Sequence, residues 1–144
     1  MTMKKLIFVV LLLACLCLTA GCRQAVATDF GVDYGESSIY SEADMQAAIK
    51  VIVDEFGTWE GCEMHSIAYS SDDMCNAENI AWMNELAEGQ NSDYDFTQCI
   101  MFTSSFHSPK NGGGAWNADE EYTNWQWWLA RTDGGDWKLL TWGY

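Results

Sequence analysis

The chain has 144 residues, 49% of them hydrophobic and 14% aromatic, enough to bury the core of one domain. Its formal charge is −14, with 21 acidic residues against 7 basic ones. Such a balance excludes a nucleic-acid partner, which needs a basic patch to replace counterions on phosphates, and is read here first as a source of solubility.

The N-terminus reads as a targeting segment. Lys4 and Lys5 form a short basic region, and Leu6 to Leu18 is an apolar run of thirteen residues. That length fits a signal peptide and falls short of the roughly 20 residues a membrane-spanning helix needs. Leu18-Thr19-Ala20-Gly21-Cys22 follows and resembles the lipobox of bacterial lipoproteins, with Thr19 where Leu is commoner. Residues 1–21 are therefore expected to be a lipoprotein signal peptide and Cys22 the lipidated residue. Diacylation of its thiol would anchor the chain without a spanning helix. Cleavage removes Lys4 and Lys5 but no acid, leaving five basic against 21 acidic residues, a charge of −16. The expected location is the cell membrane, facing the extracytoplasmic side.

Residues 22–40 lack periodicity and are rich in small, polar and acidic side chains, the composition of a tether. Phe30, Val32 and Tyr34 alternate and offer a docked strand as the alternative. The folded unit is expected over 41–144. Ser41 with Asp44 forms a capping box, and Met45, Ala48, Ile49, Ile52, Val53 and Phe56 recur at helical spacing, which predicts a helix over 42–56 stopped by Gly57. Residues 61–69 alternate as a strand, with Glu63, His65, Ile67 and Tyr69 on one face and Cys62, Met64, Ser66 and Ala68 on the other. A second helix is expected over 74–88, with Ile80, Met83 and Ala87 on its buried face. A strand follows over 96–107, in which Ile100, Phe102 and Phe106 alternate against Cys99, Met101, Thr103 and Ser105. Pro109 and Gly112-Gly113-Gly114 open a long connection; no helix N-terminus follows them, so they do not read as a phosphate cradle.

Residues 122–144 hold five of the eight tryptophans, and Asp133-Gly134-Gly135 divides them into two alternating aromatic halves. Asp-Gly between such halves predicts a hairpin. A two-residue Asp133-Gly134 turn would set Arg131 opposite Asp136, Trp127 opposite Leu140 and Trp125 opposite Trp142. One face would then carry Trp125, Trp127, Leu129, Leu140 and Trp142, and the other Tyr122, Gln126, Trp128, Ala130, Trp137, Leu139 and Thr141. Two helices are expected to cover one face only, so apolar groups on the second need curvature of the sheet, a partner or a ligand. The order helix, strand, helix, three strands is that of an α+β domain.

Chemistry-bearing signals are sparse. His65 and His107 are the only histidines, and neither stands at a metal-ligand spacing. His65 and Glu63 share an expected strand face and are weak candidates for acid/base groups. Trp125, Trp127 and Trp142, with Tyr69, are candidates for lining a ligand pocket, although tryptophans at alternating strand positions are most often core. Cys62, Cys75 and Cys99 remain after cleavage in a compartment that often permits disulfides; one bridge among them, or none, is compatible with the sequence. No nucleotide fingerprint, catalytic triad, cofactor or metal signature is present.

The C-terminal run Tyr122-Thr123-Asn124-Trp125-Gln126-Trp127, with Gly134-Gly135-Asp136-Trp137-Lys138 and Trp142-Gly143-Tyr144, resembles a family of small bacterial lipoproteins built on a domain of unknown function. The likeness extends to the strand start Gly61-Cys62. It implies a cone-like fold similar to nuclear transport factor and scytalone dehydratase: a curved antiparallel sheet on two or three helices around a pocket. It brings no catalytic residues. The expected function is non-catalytic binding of a small molecule or envelope partner by a lipid-anchored domain. The alternatives are a dehydratase or isomerase using His65 and Glu63, and a glycan-binding module using Trp125, Trp127 and Trp142.

Overall fold

The structure, a computed structural model, describes residues 29–144. The expected signal peptide, Cys22 and the first part of the tether lie outside the described residues. Among the described residues the order is β1 (Gly31–Asp33), α1 (Glu42–Phe56), β2 (Glu63–Tyr69), a short 3₁₀ turn (Asp72–Met74), α2 (Ala77–Gly89), β3 (Gln98–His107), β4 (Glu121–Arg131) and β5 (Lys138–Gly143). This is an α+β fold with one five-stranded sheet in the spatial order β1-β2-β3-β4-β5. The β1–β2 pair is parallel and the other three are antiparallel, so the sheet is mixed where a wholly antiparallel one was expected.

Residues 29–40 are docked, which corrects the tether reading for that stretch. Val32 pairs with Ile67, and Phe30, Val32 and Tyr34 pack against the core. Tyr40 is buried, its hydroxyl donating to the Cys99 carbonyl at 2.8 Å. Asp72 fastens the rest: its carboxylate accepts from the Ser37 hydroxyl, from the Ser38 amide (2.7 Å) and hydroxyl (2.8 Å), and from the Tyr69 hydroxyl (2.7 Å). Those donors favour the charged form, Ser37 most and Tyr69 next, and hold the Asp72 carboxyl far below the usual range.

The first helix forms as its sequence demands. Ser41 accepts from the Asp44 amide while the Asp44 side chain accepts from the Ser41 amide, a complete capping box. Met45, Ala48, Ile49, Ile52 and Phe56 are buried against Ile67, Ile100, Phe102, Phe106, Trp127 and Leu129. The second helix begins later than expected: Asn76 is its N-cap, and residues 72–74 form the separate turn. Its Met83 and Ala87 pack on Phe96, Cys99, Met101, Trp128, Ala130 and Leu140. Successive β3 residues alternate between these two clusters, so α1 and α2 lie on opposite faces of the sheet. This corrects the expectation that both helices share one face. On the α1 face Phe102, Phe106 and Trp127 are fully buried.

The Trp-rich hairpin exists with a different register. The Gly135 amide donates to the Thr132 carbonyl at 2.8 Å across Asp133-Gly134, and only Gly134 of the central pair has positive φ, +71°. The turn is therefore not the primed two-residue kind, and β5 does not resume until Lys138. Trp127 faces Trp142 and Leu129 faces Leu139, with a bulge that turns Leu140 to the α2 side. Leu139 and Leu140 thus exchange their expected faces, and Tyr122 and Trp137 join Trp125, Trp127 and Leu129 on the α1 side. Arg131 does not meet Asp136. It crosses to α1 instead, with Asp44 at 2.9 Å, Gln98 at 2.7 Å and the Trp137 ring 4.3 Å beneath its guanidinium. Burial pushes the Asp44 carboxyl up, but the Ser41 hydroxyl and amide and Arg131 outweigh it and leave it lowered.

Candidate functional site

Two features stand out from the core, each at a position set by an irregularity in the strands. The first is an aromatic cluster at one end of the sheet. In β4 two residues lie between Tyr122 and Trp125 where β3 has only Ser105 between Phe106 and Ser104, and Asn124 absorbs the extra length with φ +57°. The bulge brings Tyr122 and Trp125 to the same side, around Phe106.

Two tryptophans that the sequence reading left aside complete this cluster. Trp59, in the link between α1 and β2, stacks on Trp127 at 5.1 Å and lies 4.9 Å from Trp116 and 6.0 Å from Trp142. Trp116 reaches it from the connection between β3 and β4. That connection is closed at its base by Ser108, which is 2% exposed, donates to the Asn117 carbonyl at 2.7 Å and accepts from the Glu120 amide at 2.9 Å. Gly112 has φ +65°, and a Cβ there would stand 3.0 Å from the Trp116 carbonyl, so glycine is required for the loop to return. The signal was present in the sequence: Trp59 sits between Gly57 and Gly61, and Trp116 follows three glycines.

Between these segments is an open cleft of about 490 Å³, lined by Thr58, Trp59, Glu60, Trp116 and the backbone of Gly112–Gly114. At its side Trp142 is 42% exposed, and Tyr144, 77% exposed, packs edge-on to Trp125. Of the residues expected to line a pocket, Trp127 is fully enclosed, its Nε1–H donating to Ser104 at 2.8 Å. Trp125 is half-buried and its Nε1–H has no partner. Trp127 and Trp142 are tilted by 35°. The three do not form a flat exposed platform. Tyr69 lies elsewhere, buried against Phe102 with its hydroxyl committed to Asp72.

The second feature is a histidine–carboxylate cluster on the α2 side of the sheet, past the residues that α2 covers. A bulge at His65 turns it away from Ile67 and Tyr69, which face the core, and onto the face carrying Ser66 and His107. Glu121 joins the two rings: Oε1 is 2.9 Å from His65 Nδ1 and Oε2 is 3.0 Å from His107 Nδ1, with the rings stacked 6.2 Å apart. His107 Nε2 also contacts Asp119 Oδ1 at 3.0 Å. Only an imidazolium donates from both nitrogens, and Asp119 first and Glu121 second raise the His107 pKa. The candidate base pair is looser. Glu63 is 81% exposed and 3.9 Å from His65 Nε2, and the cluster lies on an open face of the sheet. Among the described residues no group of three or more His, Cys, Asp or Glu is placed to hold a metal ion.

Cys62, Cys75 and Cys99 are free thiols. Burial raises the pKa of each, Cys99 to about 12, so none is a poised nucleophile at neutral pH. Among the described residues no helix is long and apolar enough to cross a membrane. In the comparisons with known proteins, no family model, no curated protein and no solved structure matches the chain.

Proposed function

We propose that this chain is a lipid-anchored extracytoplasmic domain that binds a small molecule or an envelope component without catalysing a reaction, and that it does so at the aromatic end of the sheet. The observation that carries the binding site is the open cleft walled by Trp59 and Trp116 beside the exposed Trp142. Large aromatic surface left in contact with water at one place marks a contact surface more often than scattered exposure does. A cone of the scytalone-dehydratase kind would put its ligand on the α1 face. In this chain Phe102, Phe106 and Trp127 are fully buried on that face, which supports reading the end of the sheet as the ligand surface instead.

The anchor rests on Lys4, Lys5, the apolar run to Leu18 and Ala20-Gly21-Cys22. Mass spectrometry of membrane-extracted protein tests it. An N-terminal peptide starting at a diacylated Cys22 supports the reading, and an unmodified Cys22 removes it. The contact surface is tested separately by indole N–H spectra recorded with muropeptides, neutral oligosaccharides and amines. Shifts at Trp59, Trp116 or Trp142 support it, and silence at all three against every class speaks against it.

A further inference from the structure

The direction of β1 ties the aromatic end of the sheet to the expected lipid. We propose that this end rests in the headgroup layer of a neutral bilayer, the one that takes up the acyl chains on Cys22, with Trp142 and Tyr144 as the rings that enter it. This rests on the reading of Cys22 as an anchor and of the aromatic end as the contact surface.

Strand β1 pairs in parallel with β2, Gly31 beside Ser66 and Asp33 beside Ala68, so it enters the sheet from the end where β2 begins. At that end Glu63 pairs with His107 and His107 with Glu121, which puts the Trp59 link, the Trp116 connection and the start of β4 there. Strand β5 runs towards the same end and finishes with Trp142, Gly143 and Tyr144, the last ring edge-on to Trp125. The chain upstream of β1 and the exposed aromatic rings therefore share one end.

Length makes that coincidence restrictive. Asp29 is seven residues after Cys22, so the lipid lies within about 25 Å of it whatever path the chain takes. Strand β4 alone is eleven residues, roughly 34 Å from end to end. The end that holds the aromatic rings is thus the one the anchor brings to the membrane.

Indole and phenol rings suit that position, since each joins an apolar body to a polar tip and concentrates at headgroup level. Trp142 and Tyr144 are exposed there. The other exposed aromatics lie elsewhere: Trp82 is on α2 against Trp128, and Tyr94 precedes β3, stacked on Phe96 with Lys138 over its ring. Charge selects the lipid. Residues 29–144 carry 21 acids against four basic residues, a formal charge of −17, and Glu60, Glu63, Asp119, Glu120 and Glu121 belong to this end. An anionic headgroup layer would repel it, so a neutral, zwitterionic one is the partner.

The test uses the full chain recovered from membranes, its Cys22 lipid checked by intact mass, in phosphatidylcholine nanodiscs that carry a nitroxide-headgroup lipid. Trp142 is expected to lose most of its indole N–H signal to paramagnetic broadening, while Trp82, similarly exposed on α2, and Trp137 keep theirs. Trp142→Ser with Tyr144→Ser, the far-ultraviolet spectrum unchanged, should speed transfer of the acylated chain between vesicles severalfold, since less apolar surface is held at the interface. Unchanged transfer, or broadening that grows as anionic lipid is added, overturns the proposal. If Cys22 is acylated but Trp82 or Trp137 broadens as much as Trp142, or no indole broadens, the orientation falls and the anchor stands. If Trp142 answers soluble small molecules but not the nitroxide lipid, the contact surface stands and this proposal ends. If Cys22 carries no lipid, the anchor and the proposal fall together.

Discussion

Replacing Trp127 by Phe should separate core tryptophans from surface ones. Trp127 is fully buried, stacks on Trp59 at 5.1 Å and donates Nε1–H to a Ser104 hydroxyl that is itself 4% exposed. Phenylalanine keeps one ring and loses the other with its N–H. The missing volume costs on the order of 1 kcal/mol, and the orphaned Ser104 hydroxyl about 1–2 kcal/mol more. The sum, about 2–3 kcal/mol, is a large fraction of the roughly 5–15 kcal/mol that stabilises an ordinary domain. Trp142→Phe, at a 42% exposed position, should stay within about 0.5 kcal/mol. Urea unfolding followed by far-ultraviolet circular dichroism measures both. Equal midpoint shifts for the two variants would refute the division of the ribbon into a buried stack and an exposed rim.

Other consequences can be checked independently. Arg131→Lys keeps the charge but loses the fork that reaches Asp44 and Gln98 over the Trp137 ring; a loss of about 1–2 kcal/mol is expected from denaturant midpoints. The His107 pKa is raised, so its contribution is complete below the ordinary histidine value near 6.5 and is lost as pH rises through the higher folded value. His107→Gln should therefore lower the melting temperature more at pH 5.5 than at pH 9, and an equal drop at both would contradict the imidazolium clamp. The Asp72 carboxyl is lowered, so its contribution is present above the ordinary carboxylate value near 3.9 and is lost as pH falls through the folded one. Asp72→Asn should speed amide exchange across 31–40 at neutral pH while the α1 amides stay protected; unchanged exchange at 31–40 would show that Asp72 does not fasten the segment.

What the sequence disclosed follows from where the governing interactions lie. The first helix was legible because its capping box, apolar stripe and Gly57 stop are all local, and β3 was legible because both its faces are apolar or small. The strand at Gly31–Asp33 was legible only as an alternative to a tether, from the alternation of Phe30, Val32 and Tyr34, since its parallel pairing with β2 depends on a partner about 35 positions away. Bulges escape a reading of one strand because they are defined by counting residues on the other. Two of them matter to the surface features: the one at His65 brings both histidines to Glu121, and the one around Asn124 sets Trp125 beside Tyr122. A third exchanged the faces of Leu139 and Leu140. The Asp133-Gly134 signal located the turn correctly, but the register depended on Trp137 reaching the Asp44 carbonyl at 3.0 Å, a contact with α1. Trp59 and Trp116 lie in connections, where alternation gives no guidance, and they are the residues that build the cleft.

The most direct test of the central claim, that this domain presents a ligand surface at its aromatic end, is a ¹⁵N-resolved spectrum of the eight indole N–H groups recorded against envelope-derived small molecules. Saturable shifts are expected at Trp59, Trp116 and Trp142, with the enclosed Trp127 following weakly and Trp82, Trp128 and Trp137 unmoved. Shifts centred on those last three, or none at any indole, would contradict it.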